Sequence, residues 1–104
     1  MEVDILDNQY AVIEFDPIDA GQNPSTVTAE SAATDNAQVV TVTPVSGQPA
    51  QFKVTATGKV GTANVIPSGT NETGGTISGP AVLVNVKATP AVGFAARVIT
   101  IANQ

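Results

Sequence analysis

The sequence predicts an all-β sandwich of about seven to eight short strands. Thr, Val, Ala, Gly and Pro dominate while Leu, Glu, Lys and Arg are scarce, and this is the composition of strands. Several windows alternate apolar and polar residues with period two, and none carries a helical apolar stripe. Two antiparallel sheets packed face to face would bury the apolar faces in one core.

The expected strands are short apolar or β-branched runs bounded by Gly, Pro, Asn and Asp. They cover residues 9–15, 26–30, 38–43, 50–57, 62–66, 81–88 and 94–101. Alternation places three sets of side chains on inward faces. These sets are Ala11, Ile13 and Phe15, then Phe52, Val54 and Ala56, then Val82, Val84 and Val86. The Gly-rich stretch 67–80 is expected to be a flexible loop, and loops at the ends of a sandwich are where binding surfaces usually lie, so whether it binds a host-surface ligand stays open.

Charge and composition exclude several classes of function. The net charge is −5, and the cations are Lys53, Lys59, Lys87 and Arg97. Four scattered cations do not neutralise a run of phosphates, so neither nucleic acid nor an anionic membrane is an expected partner. The chain has no Cys and no His. A disulfide and a thiolate metal site are therefore impossible, and we expect no cofactor.

The candidate chemical sites also have simpler explanations. A Ser or Thr nucleophile needs a nearby base, and without His no catalytic signature is present, so we do not expect an enzyme. The loop Asp16–Asn23 offers oxygen ligands that suit Ca²⁺, but its spacing is not that of an EF-hand. Turn chemistry explains the same residues, and we expect no bound metal.

The first eight residues allow two interpretations. Val3 and Ile5 alternate with Glu2 and Asp4, as in a half-buried strand. Residues 1–8 are either an arm that contacts another chain through Val3, Ile5 and Leu6, or an extra edge strand of a domain formed by residues 9–104. The segment has no basic flank, so we expect no signal peptide and synthesis in the cytoplasm.

Five stretches together resemble bacterial immunoglobulin-like domains of the invasin and intimin type. They are Gln9-Tyr-Ala-Val-Ile-Glu-Phe-Asp16, Asp19-Ala-Gly-Gln-Asn-Pro24, Ala37-Gln-Val-Val-Thr-Val-Thr-Pro44, the hairpin-like run from Phe52 to Val65, and the closing run from Val82 to Ile101. The resemblance covers most of the chain. Relatives often carry a Trp before the Val-rich strand, and residues 29–33 here contain none.

The resemblance implies an immunoglobulin-like sandwich in the small stand-alone form that tailed bacteriophages encode. Such domains decorate heads or belong to tail surfaces, so the expected location is the virion. The expected partner is a capsid or tail protein of the same virion, with self-association as a further option. The alternative function is an adhesion module that binds carbohydrate or a host-cell surface, although sugar faces usually stack on aromatic rings, which are few here.

Overall fold

The computed structural model describes all 104 residues and confirms the all-β prediction. Eight strands form two sheets that face each other, and there is no helix. The strands are β1 (Glu2–Leu6), β2 (Tyr10–Glu14), β3 (Thr28–Thr34), β4 (Val40–Val45), β5 (Gln48–Ala56), β6 (Gly61–Thr70), β7 (Thr76–Ser78) and β8 (Val82–Lys87).

The larger sheet has five strands in the order β1-β8-β6-β3, and β7 pairs with the far end of β6. β1 pairs in parallel with β8, with Glu2 opposite Leu83 and Leu6 opposite Lys87. All other pairings in this sheet are antiparallel. The register between β3 and β6 shifts between Thr28 and Ser31, where the intervening Ala29 has a positive φ of 53°. The shift is a β-bulge, which lets β3 bend.

The smaller sheet has three strands in the order β2-β5-β4. β2 and β4 are both antiparallel to β5, and both are edge strands. The tight turn between β4 and β5 uses Gly47 at φ 77°, a conformation that favours glycine.

The core lies between the two sheets and is made of small aliphatic side chains. Val40, Val54, Val65 and Val84 are completely buried. No polar or charged side chain is buried, and no buried side-chain nitrogen or oxygen lacks a hydrogen-bond partner. Non-directional burial of apolar surface therefore dominates the packing of the sandwich.

The predicted inward faces are confirmed, although the strand boundaries differ by a few residues. Ile13, Phe52, Val54, Val82, Val84 and Val86 are all buried. Ala11, Phe15 and Ala56 are half-buried and pack against this cluster. The stretch 67–80 is not the loop that we expected, because β6 runs through Thr70 and a short turn joins it to β7.

The predicted last strand, Phe94–Ile101, is wrong. Residues 88–104 form no strand or helix and are exposed throughout. The radius of gyration is 19.9 Å, whereas a compact chain of this length has about 13 Å. The molecule measures 82 × 22 × 21 Å, because this C-terminal segment extends away from the sandwich. The Phe, Val and Ile residues of this segment favour a strand, but they do not supply a neighbouring strand for it to pair with.

Candidate functional site

The C-terminal segment leaves the sandwich through a fixed exit. The backbone N–H of Asp7 donates to the carbonyl of Lys87 at 2.8 Å. One carboxylate oxygen of Asp7 accepts from the backbone N–H and the hydroxyl of Thr89, at 3.3 and 2.5 Å. Pro90 follows immediately. These bonds hold the first residues after β8 beside the end of β1, so the exit has a defined direction.

A second contact locks β1 and β8 together next to this exit. The side-chain amide of Asn85 donates to Glu2 at 2.7 Å and to Asp4 at 2.9 Å, and Lys87 lies 3.4 Å from Asp4. The hydrogen bond from Asn85 and the charge of Lys87 lower the pKa of Asp4. The pair is exposed, so its ionic part contributes little to stability.

The segment beyond the exit is apolar and uncovered. Phe94 is fully exposed, and Val98, Ile99 and Ile101 are 74%, 77% and 89% exposed. Residues 88–104 contain no Asp or Glu, and Arg97 is their one cation. Contiguous exposed apolar side chains of this size mark a surface that contacts another molecule. We call residues 94–101 the apolar tail.

A groove opens at the opposite end of the sandwich, between the two sheets. Its cavity volume is about 490 Å³, and it lies where β2 ends and β8 begins. Ile13, Phe15, Val27 and Ile77 contribute apolar walls. Val27 packs on the bare backbone of Gly69, where an added Cβ would come within 2.9 Å of its methyl group. The groove is a pre-formed concave apolar site.

Three carboxylates, those of Glu14, Asp16 and Glu30, line the same groove, and its one cationic group is the N-terminal ammonium of Met1. Partial burial raises the pKa of Glu30, and the charges of Asp16 and Glu14 raise it further. No set of three such side chains is placed to hold a metal ion. The arrangement therefore suits a ligand that combines apolar surface with one positive group.

The strand that borders the groove has an open edge. β2 pairs with β5 on one side and with no strand on the other. Gln9 and Phe15 bond to β5 through their backbones, so by alternation the backbone groups of Val12 and Glu14 point away from β5. Unpaired backbone donors and acceptors of this kind are a template for an added strand.

The structure places the three residues predicted to contact another chain inside β1. β1, which covers Glu2–Leu6, lies at the edge of the larger sheet beside β8, and this is the arrangement of the second of the two interpretations. Ile5 is 6% exposed within the core, and Val3 packs against that core. Ile5 is thus occupied within its own chain. Contact of Val3 and Leu6 with another chain stays a prediction.

The loop considered for Ca²⁺ is organised by its own hydrogen bonds. One carboxylate oxygen of Asp19 accepts from the backbone N–H groups of Gly21 and Asn23, at 2.8 and 3.0 Å. The backbone N–H of Gln22 donates to the Asp19 carbonyl, and Gln22 has a positive φ of 65°. Turn chemistry thus accounts for the position of Asp19.

The aromatic residues do not form a platform for sugar stacking. Tyr10 is 59% exposed, but the Lys53 ammonium lies 4.3 Å from its ring centroid and covers one face. The rings of Phe15 and Phe52 pack against each other with centroids 6.2 Å apart. Phe94 is therefore the one fully exposed ring, and it belongs to the apolar tail.

Comparison with protein-family models, with curated proteins and with solved structures finds no match. The structure contains no helix that is long and apolar enough to cross a membrane.

Sequence reasoning missed both halves of this candidate site. The apolar tail is predicted from the sequence to be a core strand, because Phe, Val, Ile and Thr favour strands. The groove depends on residues from β2, β3, β6 and the β7–β8 connection, which only the folded topology brings together. The charge pattern is a signal that could have pointed to both. Glu14, Asp16 and Glu30 lie in the first third of the chain, whereas the last seventeen residues contain no Asp or Glu.

Proposed function

We propose that this chain is a non-catalytic accessory protein of a tailed bacteriophage virion, either a head decoration or a component of the tail surface. The proposal rests on the apolar tail, whose large apolar side chains lie outside the core of the folded domain and are exposed. Exposed apolar surface of this kind is costly in water unless another molecule covers it. The proposal therefore assigns the chain an assembling role.

The strand order supports the family resemblance on which the virion assignment rests. When β1 to β6 are lettered A to F and β8 is lettered G, the sheets read A-G-F-C and B-E-D. Immunoglobulin sandwiches place C, F and G in one sheet and A, B, E and D in the other. Here the first strand lies beside G instead of B, and the place beside B is empty.

Carbohydrate or host-surface adhesion is the weaker proposal. Sugar-binding faces usually present flat aromatic rings, and the ring of Tyr10 is already covered on one face by Lys53. The β6–β7 turn, one of the loops considered for a surface ligand, is held closed by Asn71. Its side-chain oxygen accepts from the backbone N–H groups of Thr73 and Gly75 at 3.2 and 2.9 Å.

Mass spectrometry of purified particles tests the proposal. Virions of the phage that encodes the chain, banded on a density gradient, are expected to contain it in fixed proportion to a major capsid or tail protein. Immunogold electron microscopy then distinguishes head from tail. Recovery of the chain only from the soluble lysate, with none in any particle fraction, would overturn the proposal. Binding to host cells in the absence of particles would favour adhesion.

A further inference from the structure

We propose that the apolar tail of one copy docks in the groove of a second copy, as an added strand along the open edge of β2, so that copies join head to tail. This inference deepens the proposed function. Its biological role rests on that function, but the contact itself involves only copies of this chain. The ligand class is an apolar β-strand with one cation, and the tail is such a segment.

The positions of the tail and the groove favour a contact between two copies over a contact of the tail with the groove of its own chain. β8 begins at the groove and ends at the exit, so the tail leaves from the end of the sandwich opposite to the groove. The bonds from Thr89 to Asp7 fix this exit, and the molecule extends to 82 Å along its long axis. The tail therefore points away from its own groove and toward a neighbour placed in line.

The side chains match face by face. In an extended tail, Phe94, Ala96 and Val98 share one face, and Arg97 lies on the other together with Ile99 and Ile101. On β2, Ala11 and Ile13 point inward, whereas Glu14 points to solvent. A tail strand beside β2 with Phe94 and Val98 turned into the groove therefore presents Arg97 on the same side as Glu14.

The charges match as well. The groove carries three carboxylates and no Lys or Arg side chain, and the tail carries Arg97 and no acid. Two of the remaining cations are engaged elsewhere, since Lys53 lies over Tyr10 and Lys87 pairs with Asp4. Arg97 has no acidic partner within its own chain. Docking would place Arg97 beside Glu14, which has no ion-pair partner within its own chain.

Such a contact is heterologous, because the two copies use different surfaces. Heterologous contacts close into rings or continue as filaments, and every interior copy both gives and receives a tail. The same property gives a strict test by mixing. A copy with a defective tail can still bind the tail of another copy in its groove. A copy with a defective groove can still insert its own tail into the groove of another copy.

Two full-length variants make the test. Phe94→Asp damages the tail. Val12→Pro blocks strand addition, because it removes an outward backbone N–H and leaves the pairing with β5 intact. Sedimentation velocity and native mass spectrometry are expected to show oligomers for the unmodified chain, monomers for each variant alone, and dimers that stop at one copy of each when the variants are mixed. The matched control Val60→Asp changes an exposed valine that belongs neither to the groove lining nor to the apolar tail, and it is expected to associate like the unmodified chain.

A charge exchange tests the register and covers the case in which Val12→Pro fails to fold. Arg97→Glu is expected to weaken association at least about tenfold, and Glu14→Lys in the same chain is expected to restore much of it. A monomeric unmodified chain with a radius of gyration near 19.9 Å would overturn the inference, and so would a compact monomer with its tail folded back. Mixed variants that remain monomeric, or single variants that associate normally, would also overturn it. Self-association without recovery in virions would refute only the proposed function.

Discussion

Asp35 accepts two hydrogen bonds from Asn64, one from its backbone N–H at 2.7 Å and one from its side-chain amide at 3.0 Å. Asp35 follows β3 and Asn64 lies within β6, so the contact ties the end of one strand to its neighbour in the sheet. The two hydrogen bonds favour the ionised carboxylate and lower the pKa of Asp35 below its ordinary value of 3.8.

This contact predicts a stability difference that depends on pH. A lowered pKa in the folded state stabilises the protein above the unfolded value of 3.8, and this contribution is lost as the pH falls through the folded value. Asp35→Ala is therefore expected to lower the melting temperature at pH 7, and the difference from the unmodified chain is expected to shrink toward about pH 2. Thermal melts at both pH values check it. Glu72→Ala, which removes an exposed acid, is the control, and an equal loss at both pH values would contradict the assignment.

The core, which consists mainly of aliphatic side chains, predicts a large cost for removing its one buried ring. Phe52 is 3% exposed and packs against Phe15. Phe52→Ala is expected to destabilise the fold by about 3 to 4 kcal/mol, because the sheets cannot collapse to fill the cavity. Val60→Ala, at an exposed site, is expected to change stability by less than about 0.5 kcal/mol. Urea denaturation measures both, and a neutral Phe52→Ala would show that the inward face of β5 is misassigned.

The edge strand β1 predicts that the first residues are needed for folding. Ile5 is buried between β8 and the opposite sheet, so Ile5→Ala is expected to cost about 2 to 4 kcal/mol. Val12→Ala, on the exposed face of β2, is the matched control and is expected to be near neutral. Chemical denaturation of the two variants decides the point. A neutral Ile5→Ala would restore the interpretation of residues 1–8 as a free arm.

The exposed C-terminal segment predicts that most of it can be removed without loss of stability. Every strand and every internal hydrogen bond lies within residues 1–89. Relative to the full-length Phe94→Asp variant, which is expected to be monomeric, deletion of residues 90–104 is expected to leave the melting temperature unchanged and to reduce the radius of gyration from 19.9 Å to about 12 Å. Calorimetry and small-angle X-ray scattering measure the two quantities. A clear fall in melting temperature would mean that the tail packs on the sandwich in solution.

The sequence was sufficient for the sandwich and for most of its core. Period-two alternation around Ile13, Val54 and Val84 predicts that each of these side chains points inward, because successive residues of a strand face opposite sides. This prediction does not depend on which strand lies beside it. It was not sufficient for pairing. Residues 94–101 are rich in strand-favouring Val, Ile and Phe, as β8 is in Val, yet only β8 has strands beside it.

The candidate site was beyond sequence reasoning for a related reason. Ile13 and Phe15 were correctly assigned to the inward face, but the space beside them is open because the three-stranded sheet has no fourth strand next to β2. The absence of a strand is a property of topology and leaves no mark on the residues that would have touched it. Asn71 illustrates the same limit, since its hydrogen bonds convert a Gly-rich run into an ordered hairpin.

The parallel pairing of β1 with β8 has a mechanical consequence. β1 begins at the groove and β8 ends at the exit, so a pull on the chain before Glu2 and after Lys87 acts along both strands in opposite directions. The backbone bonds between the five paired residues of each strand are then loaded together in shear and cannot open one at a time. A domain built in this way resists extension along its long axis, because the pairing must rupture in one step before the core is exposed.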